Sequence, residues 1–260
     1  MKTLIFDEAT EQERDAQIQR LAEMMTNASK IAFLTGAGAS TSSGVPDFRS
    51  SSGVYQTTSE EIFSIDSFCE DPKRFYANFA PFYRVITEAK PNSGHFAIAE
   101  LERRCGKRVD VVTQNIDGLH SAAGSSRVWE IHGTLRTASC LTCERQFSSD
   151  YFREDLAAGR TPRCACGGVL KPDVTFYGEN LPERAYVEAQ RAMWEARLLI
   201  VLGTSLQVYP AAGLPRECDA GTPFVVINKT PTQLDSQASL VFYAPIDEIL
   251  PQAVARVPSR

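Results

Sequence analysis

Apolar residues recur along this chain in two ways, first at a helical period and then in short unbroken runs. Ile18, Leu21, Ala22 and Met25 fall three or four residues apart, behind a Thr10-Glu11-Gln12-Glu13 stretch that has the form of a capping box. The spacing predicts an amphipathic helix over 10–29 whose apolar stripe covers a sheet. Four runs with strand character follow at wide intervals: Ile31 to Leu34, Val109 to Val112, Leu198 to Leu202 and Phe224 to Ile227. Runs that are continuous rather than alternating belong to strands buried on both faces. The segments between them are long enough for crossover helices, among them 94–104 and 182–196. The pattern predicts an α/β fold built on a doubly wound parallel sheet.

In such a sheet a ligand sits outside the carboxyl ends of the strands, so the turns after the four runs should converge. They read Gly36-Ala37-Gly38, Gln114-Asn115-Ile116-Asp117, Gly203-Thr204-Ser205 and Asn228-Lys229-Thr230. All are rich in small or hydrogen-bonding groups, as a polar ligand requires. Two stretches break the rhythm. Residues 51–84 begin as a Ser/Gly/Thr loop and turn aromatic, and residues 138–170 carry a cysteine cluster without a convincing long helix. They are expected to be a helical insertion and a zinc-binding module, together forming a smaller lobe inserted in a domain made of 1–50, 85–137 and 171–260.

Composition narrows the function classes. The 260 residues are 43% hydrophobic and 23% charged, which is ordinary for a globular chain and excludes wholesale disorder. Twenty-seven basic against 32 acidic side chains leave a net charge of -5. That argues against a chain whose main task is gripping nucleic-acid phosphates, and no direct nucleic-acid partner is expected. The opening apolar run from Met1 to Phe6 is too short for a signal sequence, and no stretch approaches membrane-spanning length. The expectation is a cytoplasmic protein with no membrane partner; no feature points to an oligomeric state.

Of seven cysteines, Cys69, Cys105 and Cys218 stand alone and read as packing residues. Cys140-x2-Cys143 and Cys164-x-Cys166 form two close pairs separated by 20 residues. Each pair on a tight turn supplies half of a tetrahedral thiolate shell for one zinc ion per chain, and four thiolates leave no open position for water. Such a metal is structural. A redox pair or four packed thiols are the alternatives.

Gly36-x-Gly38 after an apolar strand is weak evidence of a nucleotide site. Thr41 stands where a dehydrogenase fingerprint has its third glycine, and Thr57 to Glu61 does not read as a strand ending in a ribose-binding acid. Hydride transfer is therefore disfavoured. The longer pattern is more specific: GAGASTSSGVPDFR at 36–49, TQNIDGLH at 113–120, HGT at 132–134, the cysteine pairs, KPDVTFYGENLP at 171–182, GTSLQVYPAAGLP at 203–215 and VIN at 226–228. In these motifs, and in their order, the chain closely resembles the sirtuins, the NAD-dependent protein lysine deacylases.

The resemblance implies a Rossmann-like domain with a smaller zinc-binding lobe, NAD consumed as co-substrate, and acetylated lysine in peptides or proteins as the second substrate. It assigns Gly36, Ala37, Gly38, Thr41, Asp47, Phe48 and Arg49 to the cofactor loop, with Phe48 over the nicotinamide end; Phe48 also reads as a plain core aromatic. Gln114, Asn115, Ile116 and Asp117 would surround the nicotinamide and its ribose, although capping of a helix near Leu119 accounts for one of the two polar side chains. Gly203, Thr204, Ser205 and Asn228 would hold phosphates and adenosine ribose, and Ile246 and Asp247 the adenine.

His95 and His120 read as structural. His132 ends the alternating stretch Val128-Trp129-Glu130-Ile131 and matches the family's catalytic histidine, a role that suits a group titrating near neutral pH. Val174, Thr175, Phe176, Tyr177 and Gly178 read as an extended stretch able to pair with a peptide. The resemblance makes them the substrate-binding segment, with Thr175 where many relatives carry valine and Tyr177 where they usually carry phenylalanine.

The implied reaction begins with attack of the acyl oxygen on the anomeric ribose carbon as nicotinamide leaves. His132 then deprotonates the ribose, whose 2′-hydroxyl takes the acyl group. A mono-ADP-ribosyltransferase using the same pocket and a non-catalytic NAD sensor are the rival readings. Sirtuins specialised for succinyl- or malonyl-lysine carry a tyrosine followed three residues later by an arginine. Here a helix capped by Asp71, with Pro72 at its first position, has Tyr76 but Phe79 in the arginine's place, so acetyl-lysine is the expected substrate unless both rings are simply core.

Overall fold

The computed structural model describes residues 2–5, 9–50 and 53–259. Strand β1 (Lys2–Ile5) and helix α1 (Glu11–Asn27) precede β2 (Lys30–Thr35). Helix α1 is the expected amphipathic element: Thr10 and Glu13 close a capping box, and Ile18, Leu21, Ala22 and Met25 are buried. Helices α2 (Ile65–Glu70), α3 (Pro72–Glu88) and α4 (Ser93–Arg103) lead to β3 (Arg108–Thr113), and the short α5 (Leu119–Ala122) leads to β4 (Val128–Glu130). Then come β5 (Gly133–Cys140), β6 (Gln146–Ser148), α6 (Ser149–Ala157) and β7 (Leu170–Val174). Helix α7 (Glu183–Glu195), strands β8 (Leu198–Leu202), β9 (Phe224–Asn228) and β10 (Leu240–Tyr243), and helix α8 (Ile246–Ala255) complete the chain.

Seven strands form one sheet in the order β1-β10-β9-β8-β2-β3-β4, and every neighbouring pair is parallel. The four expected runs lie side by side within it. Strands β1 and β10 extend one edge; at four residues each, they lack the length that makes a run stand out in sequence. Side chains alternate across the sheet. Ile31, Phe33, Ile200 and Val225 pack under α1, α4 and α8, whereas Leu34, Leu199, Val201 and Val226 pack under α7. Both faces are therefore covered, which is why the strands read as unbroken apolar runs.

One charge cluster interrupts this apolar interior. Asp110 on β3, fully buried, meets Lys30 at 2.9 Å and Arg127 at 2.7 Å, and Trp129 Nε1 donates to it at 3.1 Å. Burial pushes its carboxyl up, but the bonds from Lys30, Arg127 and Trp129 outweigh this and hold it below its usual value.

Strands β6, β5 and β7 form a separate antiparallel sheet against a second core rich in aromatic rings, including Phe68, Phe75, Tyr76, Phe79, Phe152 and Phe176. Helix α3 starts as anticipated, with Asp71 accepting from the Arg74 N–H and Pro72 in the first turn, and it continues through position 84 to Glu88. The segment 138–170 contains the nine-residue helix α6, where no long helix was anticipated; its buried face is only Phe152 and Leu156. No helix among the described residues is long and apolar enough to cross a membrane.

Candidate functional site

The strand order reverses between β2 and β8, so the loops that follow them stand side by side at the carboxyl edge, where an open α/β sheet leaves a crevice. A cavity of about 760 Å³ opens there. The Gly36 N–H donates to the Leu202 carbonyl at 3.0 Å and the Gly38 N–H to that of Gly203 at 2.8 Å. A Cβ on Gly36 would lie 2.7 Å from Thr204 Cβ; only glycine lets the two loops approach this closely.

Ala37, Thr41, Asp47, Phe48 and Arg49 continue the wall, and Thr204, Ser205 and Asn228 line it from β8 and β9. Ile246 and Asp247 reach it from the first turn of α8, and the Ser42 hydroxyl donates to Asp247 at 2.9 Å. All the residues named from the sequence for the cofactor, from Gly36 to Asp247, thus face one cavity.

His132 lies between β4 and β5 on the same cavity. Its Nδ1 is 3.0 Å from the Gln114 carbonyl oxygen. A carbonyl only accepts, so the proton is assigned to Nδ1 and Nε2 is left as the acceptor. Burial lowers the His132 pKa while the Gln114 bond opposes it. Gly133 has φ 79°, and a Cβ there would stand 2.0 Å from the Asp173 carbonyl. This close packing lets the Thr175 N–H donate to the His132 carbonyl at 2.9 Å.

Asn115 and Asp117 have different tasks. Asp117 accepts from the Leu119 N–H at 2.9 Å, one residue ahead of the Gly118 N-cap, and from the Ser40 hydroxyl at 2.7 Å. Asn115 Nδ2 donates to the Gly36 carbonyl at 3.1 Å and to Ser40 Oγ at 3.0 Å. Ser40 is a site residue that sequence reasoning did not single out, although it sits inside the glycine-rich motif. His95 and His120 pack behind the wall with tilted rings whose centroids are 4.7 Å apart, His120 Nε2 lies 3.0 Å from Thr35 Oγ1, and burial lowers both pKa values.

The facing wall is apolar. Phe75, Phe79, Phe82 and Ile86, a single helical stripe on α3, line it together with Phe63. Phe48 joins this group, 5.8 Å from Phe82 between centroids. Tyr76 does not: it is 1% exposed, its hydroxyl donates to the Leu170 carbonyl, and its ring packs on Phe68. The expectation that treated Tyr76 and Phe79 alike is corrected, since the stripe carries Phe79 into the cavity and turns Tyr76 toward β7. Val174, Thr175, Phe176, Tyr177 and Gly178 run along the rim. The Phe176 N–H donates to Glu179 at 2.7 Å, and Lys171 meets the same carboxylate at 2.8 Å.

The four cysteine sulfurs of Cys140, Cys143, Cys164 and Cys166 lie within 4.8 Å of one another. The Cys140–Cys166 and Cys143–Cys164 pairs are 3.5 and 3.7 Å apart. Sulfurs at tetrahedral corners about 2.3 Å from zinc are separated by roughly 3.8 Å, whereas a disulfide requires about 2.05 Å. The set fits one structural zinc ion with a closed shell.

Sheet order, crevice and thiolate lobe together define a Rossmann-like α/β protein with a small metal-binding insertion. Residues 36–210 match the Sir2 family profile. The chain is 39% identical to the NAD-dependent protein deacetylase of Saccharolobus solfataricus over 92% of this chain and 96% of the relative. It is 43% identical to that of Chromobacterium violaceum over 90% and 96%. A solved Sir2 complex with a deacetylated p53 peptide and 3′-O-acetyl ADP ribose aligns with a TM-score of 0.87 at 35% identity, covering 93% of this chain and 100% of that one. The chain belongs to the Sir2 family.

Proposed function

We propose that this protein is an NAD-dependent protein lysine deacetylase that transfers the acetyl group of acetyl-lysine to ADP-ribose and releases nicotinamide and O-acetyl-ADP-ribose. The observation that carries the reading is the meeting in one cavity of the loops after β2, β3, β8 and β9 with His132 and the 174–178 stretch. The deacetylase relatives and the Sir2 complex holding a deacetylated peptide beside acetyl ADP ribose support it.

Bound NAD supplies an electrophilic ribose carbon, a nicotinamide leaving group and a 2′-hydroxyl that accepts the acyl group. The small-residue turns at 36–38 and 203–205 would cradle its phosphates, with Arg49 adding charge and Asn228 taking the adenosine ribose. Gln114 to Asp117 would hold the nicotinamide end. Phe48, packed against Phe82, keeps water from the reacting carbon. His132 takes the ribose hydroxyl proton at Nε2, oriented by its Nδ1–H bond to Gln114. The 174–178 stretch aligns the acyl-lysine peptide.

The thiolate site would hold together the small lobe formed by 51–84 and 138–170, inserted in the domain formed by the remaining segments. A cytoplasmic location is part of the same reading, supported by a cysteine set placed for thiolate ligation of a metal. Incubation with an acetylated peptide and NAD tests the proposal. Nicotinamide, deacetylated peptide and O-acetyl-ADP-ribose are the expected products; ADP-ribosylated protein would instead favour the transferase, and no turnover the sensor.

A further inference from the structure

The cavity rim holds a polar cluster with no part in the proton chemistry. The Tyr177 hydroxyl accepts from Arg49 Nη2 at 3.2 Å and lies 3.1 Å from the Tyr55 hydroxyl. Arg49 Nη2 also donates to Glu60 at 3.2 Å, and its guanidinium sits 5.4 Å from the Tyr55 ring centroid. Tyr55 is folded back on Phe48: its N–H donates to the Phe48 carbonyl at 3.0 Å, and the two rings are 5.4 Å apart. The main chain of Tyr177 is itself pinned, donating to the Phe63 carbonyl at 2.8 Å and accepting from the Ile65 N–H at 3.0 Å. One hydroxyl on the peptide-binding stretch therefore touches Arg49 directly and Phe48 through Tyr55.

The Tyr177→Phe change would keep the ring and remove only the bonds of its hydroxyl to Arg49 and Tyr55. We infer that Tyr177 is a positioning residue that couples the two substrates, its hydroxyl tying Arg49 and Tyr55 to the stretch on which the peptide lies. The inference rests on the deacetylase reading. A peptide strand lying along 174–178 covers the phenol, whose main chain is already pinned, and takes its bonds to Arg49 and Tyr55 out of water. The phenol then holds Arg49 and Phe48 in place before NAD arrives, so the ordering cost is met once for two ligands. A charged donor makes the Arg49–Tyr177 bond the stronger of the two. Linkage makes the effect reciprocal: whatever factor peptide contributes to NAD affinity, NAD contributes to peptide affinity.

The test is calorimetric titration of ADP-ribose, which cannot react, into wild type, Tyr177→Phe, Tyr55→Phe and the double variant, with and without saturating acetylated peptide. Peptide is expected to tighten ADP-ribose about fivefold or more in wild type and less than about twofold in Tyr177→Phe and in the double variant; Tyr55→Phe, which keeps the Arg49–Tyr177 bond, falls between. Equal coupling in wild type and Tyr177→Phe, or none in wild type, would overturn the inference. So would a lowered melting midpoint with coupling intact, which is what a merely structural bond predicts. Failure of wild type to turn over NAD and acetylated peptide counts against the deacetylase reading itself; turnover with unaltered coupling in Tyr177→Phe counts against the coupling role alone.

Discussion

The sheet body and the small lobe bury their interiors by different means. In the body, aliphatic residues such as Ile31, Val111, Ile200 and Val225 are spread over parallel strands with helices on both faces. Many modest contributions are pooled, and few single positions dominate. The lobe has a three-stranded sheet, too little surface for a self-sufficient core, and it relies on aromatic rings packed mostly edge to face and four converging thiolates. The same division runs through the cavity. The body supplies the polar wall of glycines, amides and His132, and the lobe supplies the phenylalanine wall. Stability in the lobe is concentrated, so the lobe should fail locally.

Opening the thiolate shell presses hardest on that contrast. Cys143→Ala or Cys166→Ala should abolish metal binding and, with it, much of the roughly 10–16 kcal/mol that structural zinc supplies to small zinc domains. Metal analysis should fall from about one zinc per chain, and limited proteolysis should cut within 138–170 while the sheet body resists. Wild-type protein containing no zinc, with all four thiols titrating, would remove the basis for the contrast.

On the polar wall, His132→Ala should lower deacetylation by about 10²–10⁴-fold, the range for a lost general base. NAD affinity measured by calorimetry should stay within about tenfold, because the imidazole handles a proton more than it binds. A variant that still turns over at the wild-type rate would sink the assignment.

At the seam between the two regions, the phenylalanine wall should favour acetyl-lysine over succinyl-lysine by at least about a hundredfold in kcat/KM, since a carboxylate there loses roughly 3 kcal/mol of uncompensated hydration. Phe79→Arg should raise desuccinylation about tenfold, a partial gain because Tyr76 faces the lobe core and offers the new arginine no partner. Loss of stability with no new activity would make Phe79 part of the core alone.

The smallest effect expected is in the pH profile. Burial lowers the His132 pKa from its ordinary 6.5, which extends the neutral, proton-accepting form toward acid. The acid limb of kcat/KM should therefore lie below pH 6.5. A limb above that value would mean that the imidazole is not buried in the working enzyme.

Much of the sheet body was legible because its signals are local. A strand buried on both faces must be apolar at every position, so β2, β3, β8 and β9 stand out as runs, and the turns that end them contain the small and amide-bearing residues that line the cavity. Cysteine spacing gave the thiolate set for the same reason: each pair lies within one turn of chain. Strands β1 and β10 escaped notice because four residues carry too little pattern.

The tertiary structure alone decided which neighbouring rings face the cavity. Phe75, Tyr76 and Phe79 are neighbouring aromatic residues in sequence, and it is the packing of α3 against α2 and α6 that sends Tyr76 to the Leu170 carbonyl and Phe79 into the wall. It also decided that Arg49, Tyr55 and Tyr177 meet, and that Ser40 bridges Asn115 and Asp117. Those contacts join segments some 70 to 130 residues apart. Periodicity describes how a residue faces within its own element, whereas strand order and helix packing determine what it meets.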